Sequence, residues 1–360
     1  MSETTQAKSE KEQVKSELDT VKKKIVEIEG IYVSHPKLEK IWDRMEHCRE
    51  FSQIAAEPKG MLITGEQGAG KTKLIERYVA RFPRVVMPEK TIVPVLVIDV
   101  IIPATVKSLV EDMLASLGDP AAGKGTVASQ TRRFCKYLKK CETRLIIVDE
   151  FQHFKDRESL KVLKTISDWL KVLMNRTKLP IVLSGMPNSK DVLDAKGNEQ
   201  LKRRFTWRER LEPFGWSDVE GEEERQDDMR KFLVMVEDAL AEILPKRPGL
   251  SGVDTASRIH EATGGNVDKI MKLVRHAAGM ALSSGAAVDL DLLAEAYEEQ
   301  LADNAPGKDN PFRDDGDATK AEIKKSPRKP PPSNTSVGDA TSKRIHGMKR
   351  EPSLSSILIQ

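Results

Sequence analysis

Two short stretches of this 360-residue chain carry residues whose types and spacing suit phosphoryl chemistry. The first is Gly65-Glu66-Gln67-Gly68-Ala69-Gly70-Lys71-Thr72, which satisfies the spacing GxxxxGK[ST] at every position. Glycines at that spacing let successive backbone amides turn toward one anion, and the N-terminus of a following helix adds partial positive charge. Gly65, Glu66, Gln67, Gly68, Ala69, Gly70, Lys71, Thr72 and Lys73 are therefore expected to cradle the phosphates of ATP. In that arrangement Lys71 reaches the β- and γ-phosphates, and Thr72 offers its hydroxyl to magnesium.

The second stretch is Leu145-Ile146-Ile147-Val148-Asp149-Glu150, an apolar run that delivers two carboxylates at its end. In open parallel sheets ligands gather at the carboxyl ends of strands. Asp149 is expected to hold magnesium and Glu150 to act as base toward the attacking water. A further apolar run, Pro180–Gly185, leads into Met186-Pro187-Asn188. There Ser184 and Asn188 are candidates for contacting the γ-phosphate or the water, against a reading in which they only form the turn. Arg203 and Arg204 close a short helical segment and suit a guanidinium lent to a neighbouring subunit's nucleotide, where it stabilises charge on the transferred group. A solvated basic turn has the same sequence, and the two arginines are not separable at this stage. His153 follows in DEFQHF without partners at metal-ligand spacing; it reads as a helix-start histidine near the site.

What positions these residues is an alternation of short apolar runs with helical patterns. The runs are Gly60–Thr64, Val93–Val100, Leu145–Asp149, Ile181–Ser184 and Thr206–Leu211. Helical patterns at roughly 105–117, 129–141 and 158–175 separate them. That order predicts an α/β fold with a parallel sheet covered on both faces. From 216 to 303 only helical patterns remain, which predicts a small all-helical second domain after a nucleotide-binding domain over 29–215. Residues 1–28 read as a charged arm, and 304–360 as a disordered tail rich in Pro, Lys, Ser and Asp. Leu354–Gln360 is apolar enough for a short docking peptide, though a tail without fixed function is the simpler reading.

Composition narrows the setting. A formal net charge of +3 is too near neutral to predict a nucleic-acid partner, so any basic surface must come from clustering. Three cysteines, none in a CxxC pair, point to reduced thiols and a cytoplasmic protein. No run approaches the roughly 18 apolar residues that span a membrane.

Taken together, GEQGAGKT, LIIVDEFQHF, PIVLSGMPN, QLKRRF and ATGGNVDKIMKLVRHA resemble the AAA+ ATPases. More narrowly, the chain resembles the TniB/TnsC branch that serves DNA transposons, to which the opening IYVSHPKLEKIWDRMEHCRE is the narrower clue. The resemblance covers about residues 30–300 and implies a three-layer P-loop domain with a helical lid. It also implies a magnesium-dependent ATPase that assembles on duplex DNA as a ring or helical filament. The assembly would recruit a transposase (TniA/TnsB type) and a target selector (TniQ type), then come apart on hydrolysis. One departure matters: many AAA+ lids place an arginine shortly after a Gly-Asn pair, whereas Gly265-Asn266 here is followed by Val267-Asp268-Lys269. Either Lys269 substitutes or the lid contact is absent, which suits a slow switch better than a fast motor. For phosphate contacts to DNA, Lys107, Lys124 and Thr126 are the candidates among a run of basic residues that otherwise reads as solvated helix faces.

Three other readings share the phosphate loop. A replication initiator or loader would carry a further DNA-binding module, and order is expected to end near residue 303 without one. An ATP-gated DNA scaffold would hydrolyse only incidentally. A small-molecule kinase would need a second substrate-binding constellation, which the sequence does not display.

Overall fold

The structure is a computed structural model that describes residues 18–52, 57–154, 160–194, 198–217, 223–304 and 309–313. Residues 18–30 form helix α1. Helix α2, Pro36–Phe51, starts on proline, whose fixed φ and missing N–H suit a first turn, and buries Leu38, Ile41, Met45 and Cys48 at helical spacing. Strand β1 (Met61–Gly65) runs through the phosphate loop into α3 (Lys71–Ala80). A two-stranded hairpin, β2 (Val85–Val86) and β3 (Thr91–Ile92), precedes β4 (Val95–Asp99). Then follow α4 (Val106–Ser116), α5 (Val127–Lys140), β5 (Leu145–Asp149), α6 (Leu160–Thr177), β6 (Ile181–Gly185), α7 (Lys190–Asp194), α8 (Glu199–Arg204) and β7 (Trp207–Leu211). Four helices close the described chain: α9 (Glu223–Ala241), α10 (Val253–Thr263), α11 (Val267–Ser284) and α12 (Leu290–Gln300).

The main sheet has the order β4-β5-β6-β1-β7, and its pairs are parallel. Because side chains alternate across a strand, a strand covered on both faces must be apolar throughout. β5 obeys this: Ile146 and Val148 pack with α4, α5 and α6, while Leu145 and Ile147 pack with α2 and α3. β1 divides the same way, with Leu62 in the first layer and Met61 and Ile63 in the second. The result is a three-layer α/β domain. A separate core joins α9 to α12 through Phe232, Leu233, Val236, Ile259, Ile270 and Val274.

Two neighbouring helices start on side-chain caps. Thr105 and Ser108 form a reciprocal capping box on α4, and Thr126 accepts the Ser129 amide at the head of α5. Such a cap contributes about 0.5–2 kcal/mol.

The ends of the domain carry more packing than their composition suggests. Ile28, within the expected arm, is buried in the helical domain's core. Phe312, within the expected disordered tail, is also buried there, 6.3 Å from the Tyr297 ring. Asn310 donates to the Ala294 carbonyl at 3.0 Å, and Arg258 donates to that of Pro311 at 2.9 Å. A single aromatic side chain finds an apolar groove that the polar composition around it conceals. Leu354–Gln360 lies outside the described residues. No described helix is long and apolar enough to cross a membrane.

Candidate functional site

The phosphate loop leaves β1 at its carboxyl end, and Gly68 (φ 77°) and Gly70 (φ 89°) take the left-handed conformation that turns its amides. Lys71 follows at the start of α3 and is buried. Its Nζ donates to the carbonyls of Gly65 at 2.7 Å and Glu66 at 3.0 Å, so the ammonium lies against the loop it is expected to serve. Burial lowers its pKa, while the carboxylates of Asp149, Glu150 and Glu66 oppose the shift.

Thr72 donates its hydroxyl to Asp149 Oδ2 at 3.1 Å. This unites the two stretches that the sequence separates and sets two hard oxygen donors side by side, the donor set magnesium takes. Asp149 is only 2% exposed, and its Oδ1 accepts the Glu150 amide at 2.9 Å. Glu150 itself has φ 55°, a left-handed backbone that a non-glycine residue adopts at a cost of roughly 1–3 kcal/mol. Strain of that kind is held where the surrounding structure over-determines it, here at the strand end facing the loop.

Gln152 explains how. Its Nε2 donates to Glu150 Oε2, and its Oε1 accepts the Met186 amide at 3.0 Å. One side chain thus ties the Glu150 carboxylate to the turn after β6. Gly185 admits it, because a Cβ there would collide with Gln152 Oε1. His153 Nε2 lies 3.6 Å from Glu150 Oε2. A third carboxylate stands nearby: Asp99 pairs in register with Asp149, and burial together with Asp149 and Glu150 raises its pKa.

A cavity of about 770 Å³ opens over these groups, a size typical of small-molecule sites. Gln67 to Lys73, Glu150, Gln152 and His153 line one end, and Ile31, Tyr32, Val33, Phe232 and Met271 line another. The second group supplies a mostly apolar wall suited to a nucleoside. Arg275 braces it, donating to the Ile31 carbonyl at 2.6 Å, and the Arg77 guanidinium lies 5.0 Å over the Tyr32 ring. Ser184 and Asn188 do not line the cavity. Ser184 Oγ and Asn188 Oδ1 are buried and make no hydrogen bond among the described residues.

The two arginines part company. Arg204 donates to Asn175 Oδ1 at 2.6 Å, and its carbonyl accepts the Gly60 amide at 2.8 Å, binding α8 to α6 and to the start of β1. Arg203 is exposed. Both stand at the amino end of β1, whereas the phosphate loop leaves its carboxyl end, roughly 17 Å away along the strand.

In the lid, Asp268 lines the cavity while Lys269, exposed, does not. Asn266 donates its Nδ2 to the Gln67 carbonyl at 2.9 Å, and the Asp268 amide donates to the Gly68 carbonyl at 3.0 Å. The candidate DNA contacts have local roles as well. Thr126 caps α5, Lys107 pairs with Glu111 at 3.7 Å, and Arg133 ties down the loop that carries Lys124 through its carbonyl at 2.9 Å.

Sequence reasoning did not find Gln152, Asp99, Arg275 or the role of Asn266. Gln152 left a signal, its place two residues beyond Glu150, and Asn266 another, its place in the Gly-Asn pair.

Comparison with known proteins follows the same line. The chain is similar in structure to CDC6P from Pyrobaculum aerophilum, with TM-score 0.52 and 14% identity, over 75% of this chain and 69% of that one. It is also similar to the ORC2 protein of Aeropyrum pernix in its ADPNP-ADP complexes, with TM-score 0.51 and 14% identity, over 72% and 67% of the two chains. At such identity the likeness establishes the fold alone. No curated protein matches the sequence. The profile of the family described as Bacterial TniB protein matches residues 24–215, more than half of the chain, and the chain belongs to that family.

Proposed function

We propose that this protein is an ATP-dependent regulator of DNA transposition. It assembles on duplex target DNA, recruits a transposase and a target selector, and disassembles when ATP is hydrolysed. The observation that carries the reading is the joining of Lys71, Thr72, Asp149 and Glu150 at one end of a nucleotide-sized cavity, in a chain of the TniB family.

The chemistry follows from these groups. The loop amides and Lys71 bind and orient the phosphates, which removes much of the entropy cost of alignment. Thr72 and Asp149 are the residues that would hold magnesium; the ion, when bound, neutralises charge on the β- and γ-phosphate oxygens. Glu150, steadied by Gln152, orients the attacking water and accepts its proton as the bond to the γ-phosphorus forms and the bridging bond to the β-phosphate breaks. Arg203, too far from its own phosphate loop, serves a neighbouring subunit. Ser184, in β6, and Asn188, in the turn that follows it, each keep a buried polar atom without a partner among the described residues. Either would contact the γ-phosphate or the attacking water only after a local rearrangement. Lys107, Lys124 and Thr126 contribute to a backbone-reading surface on DNA whose affinity falls steeply with salt.

The test is electron microscopy of the purified protein with and without long duplex DNA, in ATP, a non-hydrolysable analogue and ADP. Rings or filaments on DNA with ATP or the analogue, and not with ADP, are expected. Monomers that ignore DNA in every nucleotide state overturn the transposition reading and leave an ATPase of another purpose.

A further inference from the structure

For a phosphate loop to present its amides inward, its carbonyls must face outward, and those carbonyls need donors of their own. Lys71 serves those of Gly65 and Glu66, and the lid serves the next two. The Gln67 carbonyl accepts Asn266 Nδ2 at 2.9 Å, and the Gly68 carbonyl accepts the Asp268 amide at 3.0 Å. The second donor belongs to the first turn of α11, whose amides lack partners within the helix. Asn266 is used twice, since its Oδ1 also caps α11 by accepting the Lys269 amide at 3.2 Å. The fit is close: a Cβ on Gly68 would fall 2.7 Å from Asn266 Oδ1 and 2.9 Å from Asp268 Cβ. On the other side, Gly265 is clamped by Phe214, whose amide donates to its carbonyl at 2.9 Å. The turn that carries Asn266 is therefore fixed to the connection out of the sheet domain as well as to the loop.

We infer that Asn266 is a positioning residue which latches the lid to the backs of Gln67 and Gly68, presetting the phosphate-binding amides before any nucleotide arrives. The latch acts on the loop, which grips the phosphates that ATP and ADP share, so it strengthens both nucleotides alike. A lid side chain placed on the γ-phosphate would instead favour ATP. The inference rests on the ATP-binding reading of the loop, deepening it by saying what the lid contributes.

The test compares wild type with Asn266→Ser. Serine keeps the cap on α11 but is too short to reach the Gln67 carbonyl. Fluorescent ATP and ADP analogues are titrated against each protein, and hydrogen exchange of the loop amides is followed without nucleotide. The expected result is an equal weakening for both nucleotides, about tenfold for a lost hydrogen bond, together with faster exchange at residues 66–70 and little change at the core of α11. Weakening of ATP alone overturns the latch in favour of a lid that reads the γ-phosphate, and unchanged affinity and exchange overturn it outright. Wild type that binds neither nucleotide removes the ATP reading itself, and loop exchange then still decides for or against the latch.

Discussion

Arg203→Ala removes a guanidinium that is exposed at the end of α8 and bonds to no described residue, so its folding cost is small, within about 0.5 kcal/mol. Its own phosphate loop is at the other end of β1, roughly 17 Å away, so any effect on turnover must pass through a neighbour. A guanidinium lent in trans is worth about 10³–10⁵ in kcat, or roughly 4–7 kcal/mol on the barrier. Arg204→Ala should behave in the opposite way. It deletes the bond to Asn175 at 2.6 Å and loosens α8 from α6, costing about 1 kcal/mol of stability with a melting shift of a few degrees. The assay is steady-state ATP turnover of assembled protein, paired with thermal melts of each variant. A mixing experiment sharpens it, because Arg203→Ala and Glu150→Gln subunits are each inactive but complementary across an interface. In an equal random mixture with head-to-tail contacts, about one site in four pairs an intact Glu150 with a neighbour's intact Arg203. Turnover should return to about that fraction of wild type. A mixture as inactive as its parents, or an Arg203→Ala protein as active as wild type, refutes the assignment.

Three further outcomes follow from the site and its surroundings. Glu150→Gln should bind ATP with near-native affinity yet lose about 10²–10⁴ in turnover, leaving assemblies that persist under the microscope; disassembly at the native rate would favour a scaffold with incidental hydrolysis. Gln152→Leu frees the Glu150 carboxylate from the turn after β6, and misplacement on this scale lowers kcat by up to about a hundredfold while KM changes little; an unaltered kcat would show that Gln152 only packs. His35, buried against the Phe214 and Phe232 rings, has its pKa lowered by burial, then by Lys37, to about 4. Since the unfolded chain takes up the proton first, stability is full above the ordinary histidine pKa and falls between it and about 4, by roughly 2 kcal/mol from pH 7 to pH 5. Urea melts should show that slope in wild type and a flatter one in His35→Phe; parallel slopes would place the titration elsewhere.

How much of this was legible depended on the distance between partners along the chain. Gly65 to Thr72 is contiguous, and an apolar run ending in Asp149-Glu150 has few other places to sit in a parallel sheet, so both halves of the site were readable. Their meeting, through Thr72 and Asp149, follows from the topology. The supporting groups were not readable, because their partners are remote: 34 residues separate Gln152 from Met186, 199 separate Asn266 from Gln67, and 244 separate Arg275 from Ile31. A periodicity argument sees one element at a time and cannot see such pairings. The hairpin β2–β3 escaped notice because its strands are two residues long. Thr126 carries two local signals at once. A hydroxyl beside basic residues suggested phosphate contact, yet the simpler local signal, a threonine opening a helix, was also present and describes what the side chain does within the fold.

The same distribution of groups bears on how such a protein tells ATP from ADP. Inside one subunit, the lid meets the phosphate loop through backbone carbonyls, and its cavity-lining residue at the expected arginine position is Asp268. A carboxylate there offers the γ-phosphate no attraction, so that position supplies no preference for ATP. Arg203, exposed and bonded to no described residue, is the cation this reading lends to a neighbour. On this reading Lys71 and the Thr72–Asp149 pair give a lone protomer its own hold on the γ-phosphate, and a neighbour's arginine adds to that preference when it arrives. Assembly then strengthens the sensing of ATP, and loss of the γ-phosphate weakens the very contact that holds the neighbour. That coupling predicts that the ratio of ATP to ADP affinity rises with protein concentration in wild type and stays flat in Arg203→Ala.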